Sequence, residues 1–264
     1  MDTTLSERPA DALRAVRQQV LDRADLVGAP LREALCTAVD GWLGDRLAGA
    51  GDVALVAVGG YGRREPAAGS DLDLVLLHRP GTDVREVADG LWYPIWDAGV
   101  SLDHSVRTVA EALAVAREDL KAALGLLDAR HVAGDATLTQ ELRDGALAAW
   151  RRDARRRLPE LREQVAVRAE RHGELSFLLE PDLKEARGGL RDAHAIRAVA
   201  AAWVADAPGE RVRAAAAVLL DVRGELHRLT SRPTDRLVLQ EQDRVAQRLG
   251  RGDADELMRE VYGA

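Results

Sequence analysis

Asp71 and Asp73 stand two residues apart in the run Ser70-Asp71-Leu72-Asp73-Leu74-Val75-Leu76-Leu77. A strand alternates its side chains between two faces, so both carboxylates belong to one face while Leu72 and Leu74 belong to the other. Carboxylates that close repel one another, and one of them stays protonated unless a cation lies between. Mg²⁺ suits such a place, because it takes oxygen ligands, needs few carboxylates and keeps positions for water and phosphate oxygens. Just upstream, Val53 to Val58 is a short apolar run closed by Gly59-Gly60, which reads as a buried strand leading into a glycine-rich turn. Gly59, Gly60 and Gly62 let backbone N–H groups come close to a phosphate, and Ser70 adds a hydroxyl donor beside the first acid. Taken singly, Gly-Gly is a turn and Asp-x-Asp a solvated strand face. Together, strand, Gly-Gly, short loop, Gly-Ser and Asp-Leu-Asp inside a second strand point to a metal–nucleotide site.

A second stretch, Leu179-Glu-Pro-Asp-Leu-Lys-Glu-Ala-Arg-Gly-Gly-Leu-Arg-Asp192, reads as a proline-initiated turn followed by Gly188-Gly189 opening a helix. Lys184, Arg187 and Arg191 gather near the positive end of that helix, which suits an anion. The same residues serve equally as an inter-domain clamp of Lys/Arg with Asp/Glu, and the sequence leaves both readings open.

The segment Gly59-Gly60-Tyr61-Gly62-Arg63-Arg64-Glu65 through Gly69-Ser70-Asp71-Leu72-Asp73-Leu74 resembles the signature of the DNA polymerase β-like nucleotidyltransferase superfamily. Its Gly-Gly-Tyr-Gly-Arg form is most similar to the bifunctional uridylyltransferase/uridylyl-removing enzymes that modify the signalling protein PII. The Pro-Asp-x-Lys-Glu-x-x-Gly-Gly-Leu-Arg-Asp run looks like the one that follows the nucleotidyltransferase domain in those enzymes. The resemblance implies that Gly59, Gly60 and Ser70 hold the nucleotide triphosphate and that Asp71 and Asp73 hold two Mg²⁺ ions; Arg63, Lys184 and Arg187 are further candidate nucleotide-binding residues. It also implies a third acid on a neighbouring strand. Relatives often carry theirs where this chain has Ser101, but here Asp103 occupies the same face of Val100 to Arg107, so Asp103 is the expected third catalytic and metal-binding acid. His104 points to the opposite face and reads as structural.

What the resemblance implies is a nucleotidyl transfer from UTP or ATP to a tyrosine hydroxyl of PII, with pyrophosphate released. A small-molecule nucleotidyltransferase and a non-catalytic nucleotide-binding module are the alternatives, and incubation with PII, Mg²⁺ and either nucleotide separates all three. Full-length relatives continue into an HD-type phosphohydrolase and two ACT domains. This chain has no His-Asp dipeptide, and its six histidines lack metal-ligand spacing, so nucleotide removal is not expected of it. A truncated or naturally short relative fits that pattern.

The elements that must position these residues follow from composition and periodicity. A chain of 264 residues, 47% hydrophobic and 31% charged, is long enough for a substantial core. A formal net charge of −7 gives no cue for nucleic acid or an anionic membrane. The single cysteine, Cys36, excludes an internal disulfide, and no leader or bilayer-length apolar run stands out, which makes the cytoplasm the default. Apolar spacing predicts helices over 10–26, 30–47 and 83–97, the last kinked by Pro94, and Trp42 reads as a core anchor. From Val109 onward the chain reads as helices, over 110–127, 138–150 and 154–171 first, with the Arg151 to Arg157 cluster open to an anion or to plain solvation. The fold expected is therefore α+β: a helical lead-in over 1–27, a polymerase β-like catalytic domain with a small mixed sheet over 28–108, and a helical bundle over 109–264. The nucleotide belongs in the cleft between sheet and bundle.

Overall fold

The computed structural model describes residues 8–264, so the first residues of the expected lead-in lie outside the described part. The first helices are α1 (Pro9–Leu21) and α2 (Gly28–Leu47), followed by strand β1 (Val53–Ala57) and a single helical turn, α3 (Gly59–Gly62). Strand β2 (Leu72–His78), helix α4 (Arg85–Asp97) and strand β3 (Leu102–Arg107) come next. Helices α5 (Val109–Glu118) and α6 (Leu120–Leu127) lead to strand β4 (Arg130–Gly134), and the remainder is helical. Its long elements are α7 (Ala136–Arg152), α8 (Ala154–His172), α9 (Leu190–Ala201), α10 (Glu210–Thr230), α11 (Leu239–Arg248) and α12 (Ala254–Gly263).

The four strands form one mixed sheet in the order β3-β2-β1-β4. β1 runs antiparallel to both β2 and β4, and β2 runs parallel to β3. Alternation divides the sheet as the pattern requires. Leu72, Leu74 and Leu76 pack with Leu55, Cys36, Trp42 and Ile95 in a core shared with α1, α2 and α4. Val75 and Leu77 pack with Val56, Ala116, Leu126 and Leu142 in a core shared with α5, α6 and α7. Helices cover both faces of the sheet, and Asp73 opens toward the second of these layers.

A separate core binds the C-terminal helices, with Leu183, Leu190, Val222, Leu237, Val245 and Leu257 all buried. Between it and the sheet, Trp150, Leu161, Ala198 and Leu120 join α6, α7, α8 and α9, and Trp150 Nε1 donates to the Ala198 carbonyl at 2.8 Å. The sheet layer and the helical layer thus meet at this cluster of packed side chains.

Three expectations need correction. The chain beyond Val109 is not helical throughout, because β4 completes the sheet from residues that lie outside 28–108. The run over 110–127 is two helices, since Asp119 breaks the first and caps the second by accepting the N–H of Ala122. In the Arg151 to Arg157 cluster the solvated reading holds for Arg152, Arg155 and Arg156, which are exposed, and fails for Arg157 and Arg151. Arg157 is buried, donates to the Ala116 and Arg117 carbonyls at the end of α5 and pairs with Glu160 at 2.8 Å. Arg151 lies over the ring of Trp203 with 3.6 Å to its centroid. Other expectations hold: Trp42 is a core residue, and one helix, α4, spans Arg85–Asp97 with Pro94 inside it; Cys36 is buried on α2.

Candidate active site

β1 delivers the chain into the site. Val58 is still extended, and Gly59 turns with φ +55°, a left-handed conformation that a residue with a Cβ adopts only under strain. Space is equally restrictive, because a Cβ on Gly59 would stand 2.8 Å from Asp73 Oδ2. The expected glycine turn is therefore one turn of helix tucked against the second acid. The Gly60 backbone N–H favours the charged form of the Asp73 carboxyl.

In the parallel pairing of β2 with β3, Asp73 is the register partner of Asp103. Register partners share a face, so these two acids sit side by side, with Asp71 one step before β2 begins. The Asp73 carboxyl is pushed up to about 6, first by burial and then by the charges of Asp71 and Asp103. Asp103 is exposed, and its Oδ2 lies 3.2 Å from Lys121 Nζ in a surface pair. Among the described residues no group of three or more His, Cys, Asp or Glu is closed around a metal position. The three acids, Asp103 among them with Lys121 beside it, are nonetheless all-oxygen donors, whose chemistry fits a hard divalent cation.

The acids line a cleft of about 1370 Å³ between the sheet and the helical layer. Gly59, Gly60, Ser70 and Asp71 share the sheet side with Asp73 and Asp103, and Lys184, Arg191, His194 and Arg223 line the helical side. Lys184 thus reaches the cleft. Arg187 does not: its side chain is 67% exposed, with a nitrogen 3.9 Å from Glu174. Arg63 lines the cleft, but its guanidinium is engaged on both edges, by Glu65 at 2.7 Å and Asp128 at 2.5 Å. The clamp reading of the second stretch is visible in its pairs, Lys184 with Asp235 at 3.7 Å, Arg191 with Glu185 at 3.3 Å, and Arg168 with Asp192. His104 packs on Trp92 and Trp96, away from the acids.

Two polar clusters join the layers and were not singled out from the sequence. In the first, Glu65 accepts from Arg63 and from His194 Nε2 on α9, the latter at 3.1 Å. Burial works to raise the Glu65 carboxyl, yet the His194 hydrogen bond and the Arg63 charge outweigh it and hold it at about 2. Burial lowers His194, so at neutral pH it donates to Glu65 as a neutral ring. In the second, Asp235 accepts from Arg223 Nε at 2.6 Å and His227 Nε2 at 3.2 Å. Burial again opposes ionisation of Asp235, but His227, Arg223 and Lys184 hold its carboxyl well below the usual range. Glu65 sits inside the Gly-Gly-Tyr-Gly-Arg-Arg-Glu run and was legible as a motif member. Asp235 lies in a loop with no such signal.

Fold and site together define an α+β protein whose small mixed sheet presents three neighbouring carboxylates to a cleft walled by basic helices. Residues 159–264 match the family model described as GlnD PII-uridylyltransferase. The chain is 58% identical over 256 residues to the bifunctional uridylyltransferase/uridylyl-removing enzyme of Streptomyces coelicolor, an alignment covering 95% of this chain and 31% of that protein. It is 43% identical over 272 residues to the protein of the same name from Mycobacterium tuberculosis H37Rv, covering 97% of this chain and 34% of that one. Against the Corynebacterium glutamicum protein of that name it is 40% identical over 211 residues, or 80% of this chain and 30% of the relative. The chain is thus similar to these relatives along most of its own length, and it spans about a third of theirs. Among the described residues no helix is long and apolar enough to cross a membrane.

Proposed function

We propose that this chain carries the nucleotidyltransferase activity of a PII-modifying enzyme and has the polymerase β-like nucleotidyltransferase fold. In this reading it moves UMP, or AMP, from a nucleoside triphosphate to a tyrosine hydroxyl of PII. The relatives' names favour the uridylyl group. The observation that supports the reading most is the side-by-side register of Asp73 and Asp103 at the mouth of the cleft, with Asp71 adjacent.

Asp71, Asp73 and Asp103 would hold Mg²⁺, expected as two ions, which supplies charge neutralisation at the phosphates and a lowered pKa for the attacking hydroxyl. Asp103, exposed and paired only at the surface with Lys121, would orient the tyrosine hydroxyl and take its proton. The tyrosine oxygen then bonds to the α-phosphorus as the bond from that phosphorus to the pyrophosphate oxygen breaks. Ser70 and the backbone at Gly59 and Gly60 would receive the departing pyrophosphate. In-line positioning of acceptor and phosphate, rather than covalent participation by the protein, supplies most of the rate in such a scheme.

The test is incubation of the chain with PII, Mg²⁺ and either UTP or ATP, followed by intact-mass measurement of PII. A gain of one nucleoside monophosphate is the expected result, and its mass identifies the nucleotide. No gain with either nucleotide overturns the proposal.

A further inference from the structure

Ser70 and Lys184 come from distant parts of the chain, and a single carboxylate on a third segment connects them. Asp235 accepts from Arg223 Nε at 2.6 Å, lies 3.7 Å from Lys184 Nζ, and receives His227 Nε2 at 3.2 Å. His227 also accepts the Gly69 N–H on Nδ1 at 3.3 Å, which fixes its proton on Nε2 and makes the ring neutral. One negative charge therefore answers two positive ones, Arg223 and Lys184, and both line the cleft. The excess positive charge stands beside Ser70 in a chain whose net charge is −7.

The geometry around Ser70 indicates what this charge is for. Its Oγ accepts the Ala67 N–H at 2.8 Å and Arg223 Nη1 at 3.4 Å. With both lone pairs so directed, the hydroxyl proton is free to donate, and the partner it suits is an anion in the cleft. Arg223 is held on Nε by Asp235 and on Nη1 by Ser70, while Nη2 meets no acceptor among the described residues. The loop is also fixed from behind, since a Cβ on Gly69 would come within 2.9 Å of the Pro233 nitrogen.

We propose that Arg223 and Lys184, paired by Asp235, form with Ser70 a receptor for the polyphosphate tail of the nucleotide, with Asp235 and His227 as positioning residues. Arg223 occupies the role that the sequence assigns to Arg63, whose guanidinium Glu65 and Asp128 already consume. The proposal rests on the nucleotidyltransferase reading and specifies which end of the ligand the helical layer recognises.

The experiment measures dissociation constants by calorimetry for UTP against UMP, and ATP against AMP, in the wild-type chain and in Arg223→Gln. Loss of a charge-assisted hydrogen bond weakens binding by about tenfold or more. That loss is expected for the triphosphate only, with the monophosphate bound within about twofold, a split that general disruption of the site does not produce. Equal losses for both nucleotides, or no loss for the triphosphate, overturn the proposal. If Arg223→Gln does not fold, Lys184→Gln, at a side chain 31% exposed, carries the same expectation and the same refutation. A wild-type chain that binds none of the four nucleotides removes the nucleotidyltransferase reading itself, a failure distinguishable because it precedes any substitution.

Discussion

Gly59→Ala separates two roles of the residue that turns β1 into the site. The first cost is conformational: an alanine held at φ +55° pays about 1–2 kcal/mol for the left-handed backbone. The second is steric. The added methyl would meet Asp73 Oδ2 at 2.8 Å, so either α3 or the carboxylate must move by several tenths of an ångström. Displacements near 1 Å in a reacting constellation cost about 100-fold in rate. The expected outcome is therefore a loss of about 2 kcal/mol in urea-unfolding free energy together with a far larger proportional loss of transfer to PII. Gly60→Ala is the internal control, since a Cβ there meets nothing closer than Arg63 Nη2 at 3.8 Å. Its stability should stay within about 0.5 kcal/mol of wild type. A Gly59→Ala chain as stable and as active as wild type would refute both the strain and the contact with Asp73.

Asp73→Asn should abolish transfer while leaving the metal-free chain at least as stable as wild type, because it removes one of three mutually repelling carboxylates. Mg²⁺ should then raise the melting temperature of wild type and not of the variant, and an equal rise in both would refute the metal assignment. Arg157→Ala leaves the Ala116 and Arg117 carbonyls without their donor and should cost about 3 kcal/mol in urea unfolding, with a loss below about 1 kcal/mol contradicting a structural role for those bonds. Glu65 titrates at about 2 in the folded chain against about 4.5 unfolded, so its contribution is fully present above pH 4.5 and lost as pH falls toward 2. Glu65→Gln should therefore be less stable at neutral pH and lose on the order of 3 kcal/mol less than wild type across that window, measured as urea midpoints at each pH. Parallel pH profiles for the two chains would contradict the Glu65 pairing.

The parts of the fold that repeat at short range were legible. β1 and β2 are runs of buried apolar residues, and the two-residue spacing of Asp71 and Asp73 declares their common side whatever the rest of the fold does. Asp103 was readable as well, because β3 carries it in phase with Ser101 and opposite His104. β4 was not, for a physical reason: Arg130-His-Val-Ala-Gly134 is only partly covered and shows no apolar alternation. It becomes a strand because β1 has a second edge to satisfy. The break at Asp119 was hidden by the strong helical propensity on either side, and only the cap it forms with Ala122 exposes it. The pairs that knit the layers, Glu65 with His194 and Asp235 with Arg223, join positions that no local pattern links. Arg63 shows the converse, a motif residue whose charge the fold spends on its own neighbours.

The central position of β1 has a further implication for synthesis. Val53 to Ala57 is wholly apolar and sits between two partners, one supplied soon afterwards by β2 and the other only after α5 and α6 have been made. A nascent chain therefore emerges with a bare hydrophobic ribbon along one edge, the kind of surface that recruits foreign strands. Fragments cut after β3 should inherit that stickiness permanently, and those cut beyond β4 should escape it.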